Sequence, residues 1–272
     1  MVATPSRTPA GAPVGRGPDL DSLPYTVPGR PPPTLHVDDP GGIADTLRRV
    51  AEVGPYFAVT TGPVVETDWR PVRTLYENPA VLGSLLDRVQ VRIGAEQARV
   101  AASILFQGHA ARLWSVSLGT LIYGQQIPDL NPDALLWRDQ DGTMRLHLQR
   151  AEGWRGENLG DVLGHRVITN HLAPLIIAIH RLGPLAERLL WGNAASALLG
   201  AARVLDDATT GPAQDVAGQL LMQGPLRGTI RQRPDGEHRR RSCCLFYRIP
   251  GGSLCGDCAL SQPPIPQPKQ TP

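Results

Sequence analysis

All four cysteines of this 272-residue chain lie between Cys243 and Cys258, and the preceding 242 residues contain none. A disulfide-stapled domain spreads its cysteines over the fold it holds together. Four thiols in one short window have no such fold to staple, and they read as a metal site. The opening stretch MVATPSRTPAGAPVGRGPDL lacks the apolar core of a secretory signal, so no such signal is expected there.

The pattern is C-C-x10-C-x2-C. Cys255-Gly-Asp-Cys258 is a two-residue knuckle that turns both sulfurs and nearby backbone N–H groups towards a metal. Gly256 is expected to relieve its turn, and Gly251-Gly252 to let the ten-residue loop reverse. The adjacent pair is more informative. Structural zinc sites generally draw paired cysteines from C-x2–4-C spacings, where one turn presents both thiolates. Neighbouring residues of a regular strand point to opposite faces. Cys243 and Cys244 can both be ligands only if the backbone twists over Ser242–Leu245. A two-iron cluster is a larger target and takes two thiolates on each iron, so it accommodates adjacent cysteines more easily. A structural zinc site on a helical interaction protein is the alternative at this point.

The rest of the chain is expected to fold as a mainly helical α+β body with short β-hairpins, ending in the cysteine segment. Apolar residues make up 41%, enough for a core. Residues 1–40 and 261–272 are rich in Pro, Gly, Ser and Thr and read as disordered tails. The body spans 41–224, and a β-hairpin with the cysteines spans 225–260. Helices are expected over Ile43–Val53, from the Asn78-Pro79 cap to about Ile93, over Ala95–Tyr123, His165–Leu182, Pro184–Asp207 and Pro212–Met222. Gly108 and Gly119 are candidate breaks in the long one. Tyr56–Thr61 reads as a strand, Ala134–Arg138 with Met144–Gln149 as a hairpin, and Leu226–Arg233 with Glu237–Ile249 as another. Neither long apolar stretch, Leu172–Ile179 or Ala194–Leu205, reaches the 18 residues a spanning helix needs.

The cysteine motif, with all four positions and spacings in place, resembles the FhuF-type ferric-siderophore reductases. The stretch Ala101–Leu130, with Arg112-Leu-Trp114 and Pro128-Asp-Leu130, is also similar to that family. The resemblance extends over about 41–260. It implies a [2Fe–2S] cluster on Cys243, Cys244, Cys255 and Cys258, and one-electron reduction of Fe(III) in an imported siderophore to release Fe(II). It also implies a cytoplasmic protein with no membrane span, peripheral contact with the inner membrane remaining open. A module that binds the siderophore or passes electrons without turnover is the rival reading.

Seven arginines against Asp235 and Glu237 lie between Leu226 and Pro250. Arg240, Arg241 and Arg248 are the candidate substrate-binding residues, for an anionic ferric siderophore or an acidic electron donor. A solvated basic hairpin is the plain alternative. A formal charge of only +2 does not suggest nucleic-acid binding. No histidine pair has ligand spacing; for His171, near Pro174, and for His109 a satisfied structural role is the leading reading and a place facing a substrate cleft the alternative. No dinucleotide or phosphate loop is present, so electrons must come from another protein, such as a ferredoxin or flavin reductase.

Overall fold

The longest expected helix forms without a break. In the computed structural model, which describes residues 35–37, 40–209, 212–233 and 236–262, α4 runs Ala98–Gly124. Every residue from Leu113 to Thr120 is buried, so α4 is covered on all sides and forms the axis of the core. Gly119 does not break it. A Cβ there would collide with Val50, so the glycine permits close approach of α1. Helix α1 (Pro40–Ala51) presents Ile43, Leu47 and Val50 to the core at helical spacing.

A pair of short helices precedes α4. Helix α2 spans Arg73–Glu77. The Asn78 side chain then caps α3 (Pro79–Ile93), accepting from Ala80 N at 3.0 Å and Val81 N at 3.3 Å, and Gly94 ends it at φ 62°. After α4 come α5 (Leu159–Val167), α6 (Ala173–Leu182), α7 (Glu187–Ala208) and α8 (Ala213–Leu221). Between α5 and α6, Ile168–Leu172 is a π turn. Pro174 has no N–H and its ring crowds the carbonyl four residues back, which favours local widening. The run Leu159–Leu182 is therefore longer than the expected helix. It is long and apolar enough to cross a membrane, but 56% of its apolar 18-residue window is buried within the fold, which accounts for its composition.

The π turn places His171 in the core. Its Nε2 donates to Leu130 O at 2.7 Å, and its Nδ1 accepts from the Tyr76 hydroxyl at 2.8 Å. His109 Nε2 then donates to the same hydroxyl at 2.9 Å. This buried network ties α2, α4 and the π turn together, as expected of structural histidines. Burial holds both imidazoles neutral. It pushes His171 down to about 4 and His109 well below its ordinary value, where the neighbouring His171 adds to the effect.

The strands are short. The expected central hairpin forms as β5 (Leu135–Gln140) and β6 (Thr143–Leu148), pairing Trp137 with Leu146. Asp141 and Gly142 turn it with φ 53° and 71°, the two-residue arrangement that suits strand twist. The sheet order is β2-β6-β5-β3. Here β2 is only Thr60–Thr61, not the whole of Tyr56–Thr61, and β3 is Arg70–Pro71. A second sheet, β1-β7-β4, joins Leu35–Val37, Gly153–Gly156 and Ile127–Pro128. Leu35–Val37 and Pro40 thus belong to regular elements although they fall in the segment expected to be a tail. Residues 1–34 and 263–272 of the two expected tails lie outside the described residues. The last hairpin is smaller than expected, with β8 (Ile230–Gln232) paired to β9 (His238–Arg240), and Pro234 and Asp235 of its turn lie outside the described residues.

Candidate metal centre

Strand β9 ends at Arg240, and one further backbone bond, Arg241 N to Thr229 O at 2.9 Å, precedes the twist at the adjacent cysteines. The twist falls within Ser242–Leu245, where Leu245 adopts φ 69°, a conformation uncommon for a branched side chain. Leu245 N then donates to Cys243 Sγ at 3.3 Å, and the knuckle repeats the contact as Leu260 N donates to Cys258 Sγ at 3.4 Å. Cys258 N donates to Cys255 O at 3.0 Å and closes the knuckle turn. The glycine expectations divide. Gly251 has φ 70°, and a Cβ on Gly252 would strike Phe246 O, so both are needed for the reversal. Gly256 has open space around its Cβ position and no left-handed φ, so the knuckle does not require glycine there.

The cysteine segment is not an appendix. It is seated on α4 and α7 by a chain of buried polar groups. Ser103 Oγ of α4 donates to Cys244 O at 2.7 Å. Asn193 of α7 donates through Nδ2 to Ser103 Oγ at 2.9 Å, and accepts from Arg240 Nη1 on its Oδ1 at 2.9 Å. Ser242 Oγ donates to Arg188 O at 3.1 Å, in a contact so close that only glycine fits at position 192. Ser103 and Asn193 carry no sequence signal of this role. They are polar residues inside apolar helices, and only their burial together reveals it.

Arg240 was expected to meet a substrate. Its side chain is fully buried instead. Its Nη2 pairs with Asp257 Oδ1 at 3.0 Å and donates to Cys255 Sγ. Burial works against the charge, but Asp257 and the cysteine sulfurs outweigh it and hold the guanidinium protonated. Arg241 and Arg248 are exposed, and Arg248 Nε donates to Tyr247 Oη at 3.0 Å. The three arginines therefore do not form one surface.

All four cysteines are free thiols, with Cys244 and Cys258 buried and Cys243 and Cys255 partly so. Cys244 Sγ and Cys255 Sγ are 3.7 Å apart. Two ligands about 2.3 Å from a tetrahedral ion stand about 3.8 Å apart, so this pair fits a shared metal. Without metal, the hydrogen bond from Cys255, with Arg240 assisting, lets Cys244 ionise at about 5, while the same bond holds Cys255 protonated. Burial raises Cys243, and charge on nearby Cys244 and Cys258 adds to it. Among the described residues, no three His, Cys, Asp or Glu side chains converge as one metal ion would require. Arg240 Nε is buried beside these sulfurs without a hydrogen-bond partner, a donor available to a further acceptor. The donor set thus fits a two-iron cluster.

A cavity of about 510 Å³ opens between α4 and α7, and Cys244, Cys255 and Phe246 form part of its wall together with Phe57, Gly108 and Gly200. No sequence signal marks it, because small residues on two helices do not announce that they face each other.

No curated protein matches this chain. Residues 126–233 match the family described as "Ferric iron reductase FhuF-like transporter", and residues 240–260 match the "FhuF 2Fe-2S C-terminal domain". The second match contains every cysteine of the chain and the buried Arg240, so its cluster is a [2Fe–2S] centre. These two matches support the FhuF-type family of ferric iron reductase-like proteins.

Proposed function

We propose that this protein is a cytoplasmic ferric-siderophore reductase that holds its cluster on Cys243, Cys244, Cys255 and Cys258. The observation that carries the reading is the placement of Cys244 and Cys255 in the wall of a ligand-sized cavity. Bound by the four thiolates, a [2Fe–2S] cluster supplies one electron at a time. Ferric iron in an oxygen-donor chelate is held tightly, and ferrous iron, being softer, is held far less well. One electron therefore suffices for release.

The chain's own residues set the conditions. Leu245 N–H and Leu260 N–H direct hydrogen bonds at the sulfurs of Cys243 and Cys258, and Arg240 does so at Cys255. Such bonds offset negative charge on sulfur and tune the potential. Ser103 and Asn193 fix Cys244 and Arg240 against the helices. Arg241 and Arg248 remain at the surface, where they suit an acidic protein donor such as a ferredoxin.

Anaerobic turnover of a ferric siderophore with a ferrous trap tests this reading. Trapped Fe(II) in step with oxidation of a reduced donor is the expected result. A protein that takes up electrons but releases no Fe(II) from any chelate would be an electron carrier instead. Stoichiometric zinc with no visible absorption would remove the redox reading altogether.

A further inference from the structure

We infer that a second hollow, beside Leu245, is the docking site of an acidic one-electron protein carrier, which delivers its electron from the side away from the cavity walled by Cys244 and Cys255. The inference deepens the reductase reading and rests on its cluster. This hollow, of about 440 Å³, is lined by Arg99 at the start of α4, by Pro184, Leu185, Ala186 and Leu189 at the entry to α7, and by Leu245. The bond from Asn193 Nδ2 to Ser103 Oγ lies between the two cavities along both helices. Ile104 and Ser196, beyond it on α4 and α7, line the first cavity, whereas Arg99 and Leu189, before it, line the second. The cysteine segment therefore has a hollow on each side.

The rim of the second hollow is basic. Arg99 Nε donates to Gln97 Oε1 at 2.8 Å and Arg248 Nη1 to the same oxygen at 3.4 Å, so one glutamine gathers two guanidinium groups. Arg181 and Arg188 flank the Gly183–Leu189 wall along the chain. All four arginines are exposed, and among the described residues none pairs with a carboxylate. Against them stand Glu96 and Glu187, and Glu187 already accepts from Trp191 Nε1 at 2.9 Å. A four-thiolate cluster is itself negative, so an acidic carrier reaches it only over such a rim. An apolar centre inside a charged rim is the anatomy of a protein interface, and electron-transfer encounters need only a small one.

Leu245 leads directly to a ligand. Its N–H donates to Cys243 Sγ at 3.3 Å, and its Cα lies within about 7 Å of that of Cys243. Cys243 is the partly exposed member of the adjacent pair. A protein seated on Leu245 thus stands beside a ligand sulfur without entering the first cavity. A small heterocyclic reductant fits the hollow less well. His180 Nε2, in its lining, already donates to Leu185 O at 2.7 Å, and the other side chains apart from Arg99 are apolar, so little is left to orient a polar ring. One electron leaves the reduced carrier and is taken up at the four-cysteine centre. No bond forms or breaks, and the oxidised carrier departs.

The probe is an acidic plant-type [2Fe–2S] ferredoxin, added to the intact holoprotein. Binding between the oxidised proteins is read by titration calorimetry, and reduction by stopped flow. Arg99→Gln combined with Arg248→Gln should weaken binding and slow reduction at least about fivefold at about 20 mM ionic strength, with the gap closing below about twofold at about 0.5 M. Gly183→Glu tests the same face without touching an arginine. Its Cβ position is open and its φ of 169° is extended backbone that any residue adopts, so the added carboxylate should produce the same loss. Arg49 donates to Tyr123 O, about 36 Å from Arg99 along α4, and Arg49→Gln should behave as the parent. Every variant should keep the cluster spectrum and be reduced at the parental rate by photogenerated deazariboflavin radical, which is neutral and too small to need the face. Parental binding in both the arginine pair and Gly183→Glu would overturn the inference. So would a parent protein that the ferredoxin neither binds nor reduces, or one that takes electrons faster from reduced flavin mononucleotide. The reductase reading is judged apart, by whether the photoreduced parent delivers Fe(II) from a chelate to a ferrous trap with no ferredoxin present. Failure there removes that reading, while ferredoxin binding still decides the docking face.

Discussion

Replacing Arg240 by Gln removes one positive charge that touches Cys255 Sγ and is fully buried. At an effective dielectric of about 20, a unit charge about 6 Å from a redox centre contributes about 2.8 kcal/mol to a one-electron reduction. With about 59 mV for each tenfold change in a one-electron equilibrium, that is about 120 mV. The sign is fixed: positive charge favours the more negative reduced form, so its removal lowers the potential. The expected shift is therefore about 120 mV downward, read by voltammetry on anaerobically prepared holoprotein. Asp257→Asn should move the potential upward. Arg241→Gln, exposed and screened, should change it by less than about 20 mV. Removing one member of a buried pair also costs about 3–5 kcal/mol of stability, so iron content and thermal midpoint must be measured beside the potential. An Arg240→Gln protein with full iron and a potential within about 20 mV of the parent would refute the argument. Arg240 would then be a structural tether only.

Serine at any one of Cys243, Cys244, Cys255 or Cys258 should remove most of the iron and the sulfide-to-iron absorption, because the chain has no spare cysteine; a variant that keeps both would free that position from the ligand set. Chelation of iron should loosen residues 240–260 in hydrogen exchange while the body stays protected, since the apolar core runs from Ile43 to Leu226 and takes only partly buried Leu245 from the cysteine segment; global loss of protection would contradict this. The protein should also weaken in acid. His171 titrates at about 4 folded and near 6.5 unfolded, so its stabilisation is present above pH 6.5 and is lost as the pH falls towards 4, about 3 kcal/mol in all. His109 acts in the same direction. Denaturant midpoints at pH 7, 6 and 5 should show this slope, and His171→Asn should flatten it.

Much of this was legible in local sequence. The Asn78-Pro79 cap, the Asp-Gly turn and the apolar spacing of α1 act through neighbouring residues, so they predict elements near their observed places. The cysteine motif is local too, and the twist at Leu245 follows from asking two adjacent side chains to serve one centre. Gly119 misled as a break because a buried helix gains from close approach what a glycine costs it in propensity, whereas Gly108 lines the cavity on an unbroken helix. Tyr56–Thr61 has strand composition, yet only Thr60 and Thr61 pair, because its aromatic and branched residues serve the core and a cavity rim instead. Arg240 shows the limit most plainly. In sequence it is one of three consecutive arginines with no distinguishing neighbour. Only the packing of α4 against α7 decides that Arg240 turns inward to Asn193 while Arg241 stays in water. The cavity has the same origin. Motifs are set by residues close along the chain, whereas buried partners and pockets are set by residues 50 to 150 positions apart that meet only when the helices have packed, as Ser103 and Cys244 do across 141.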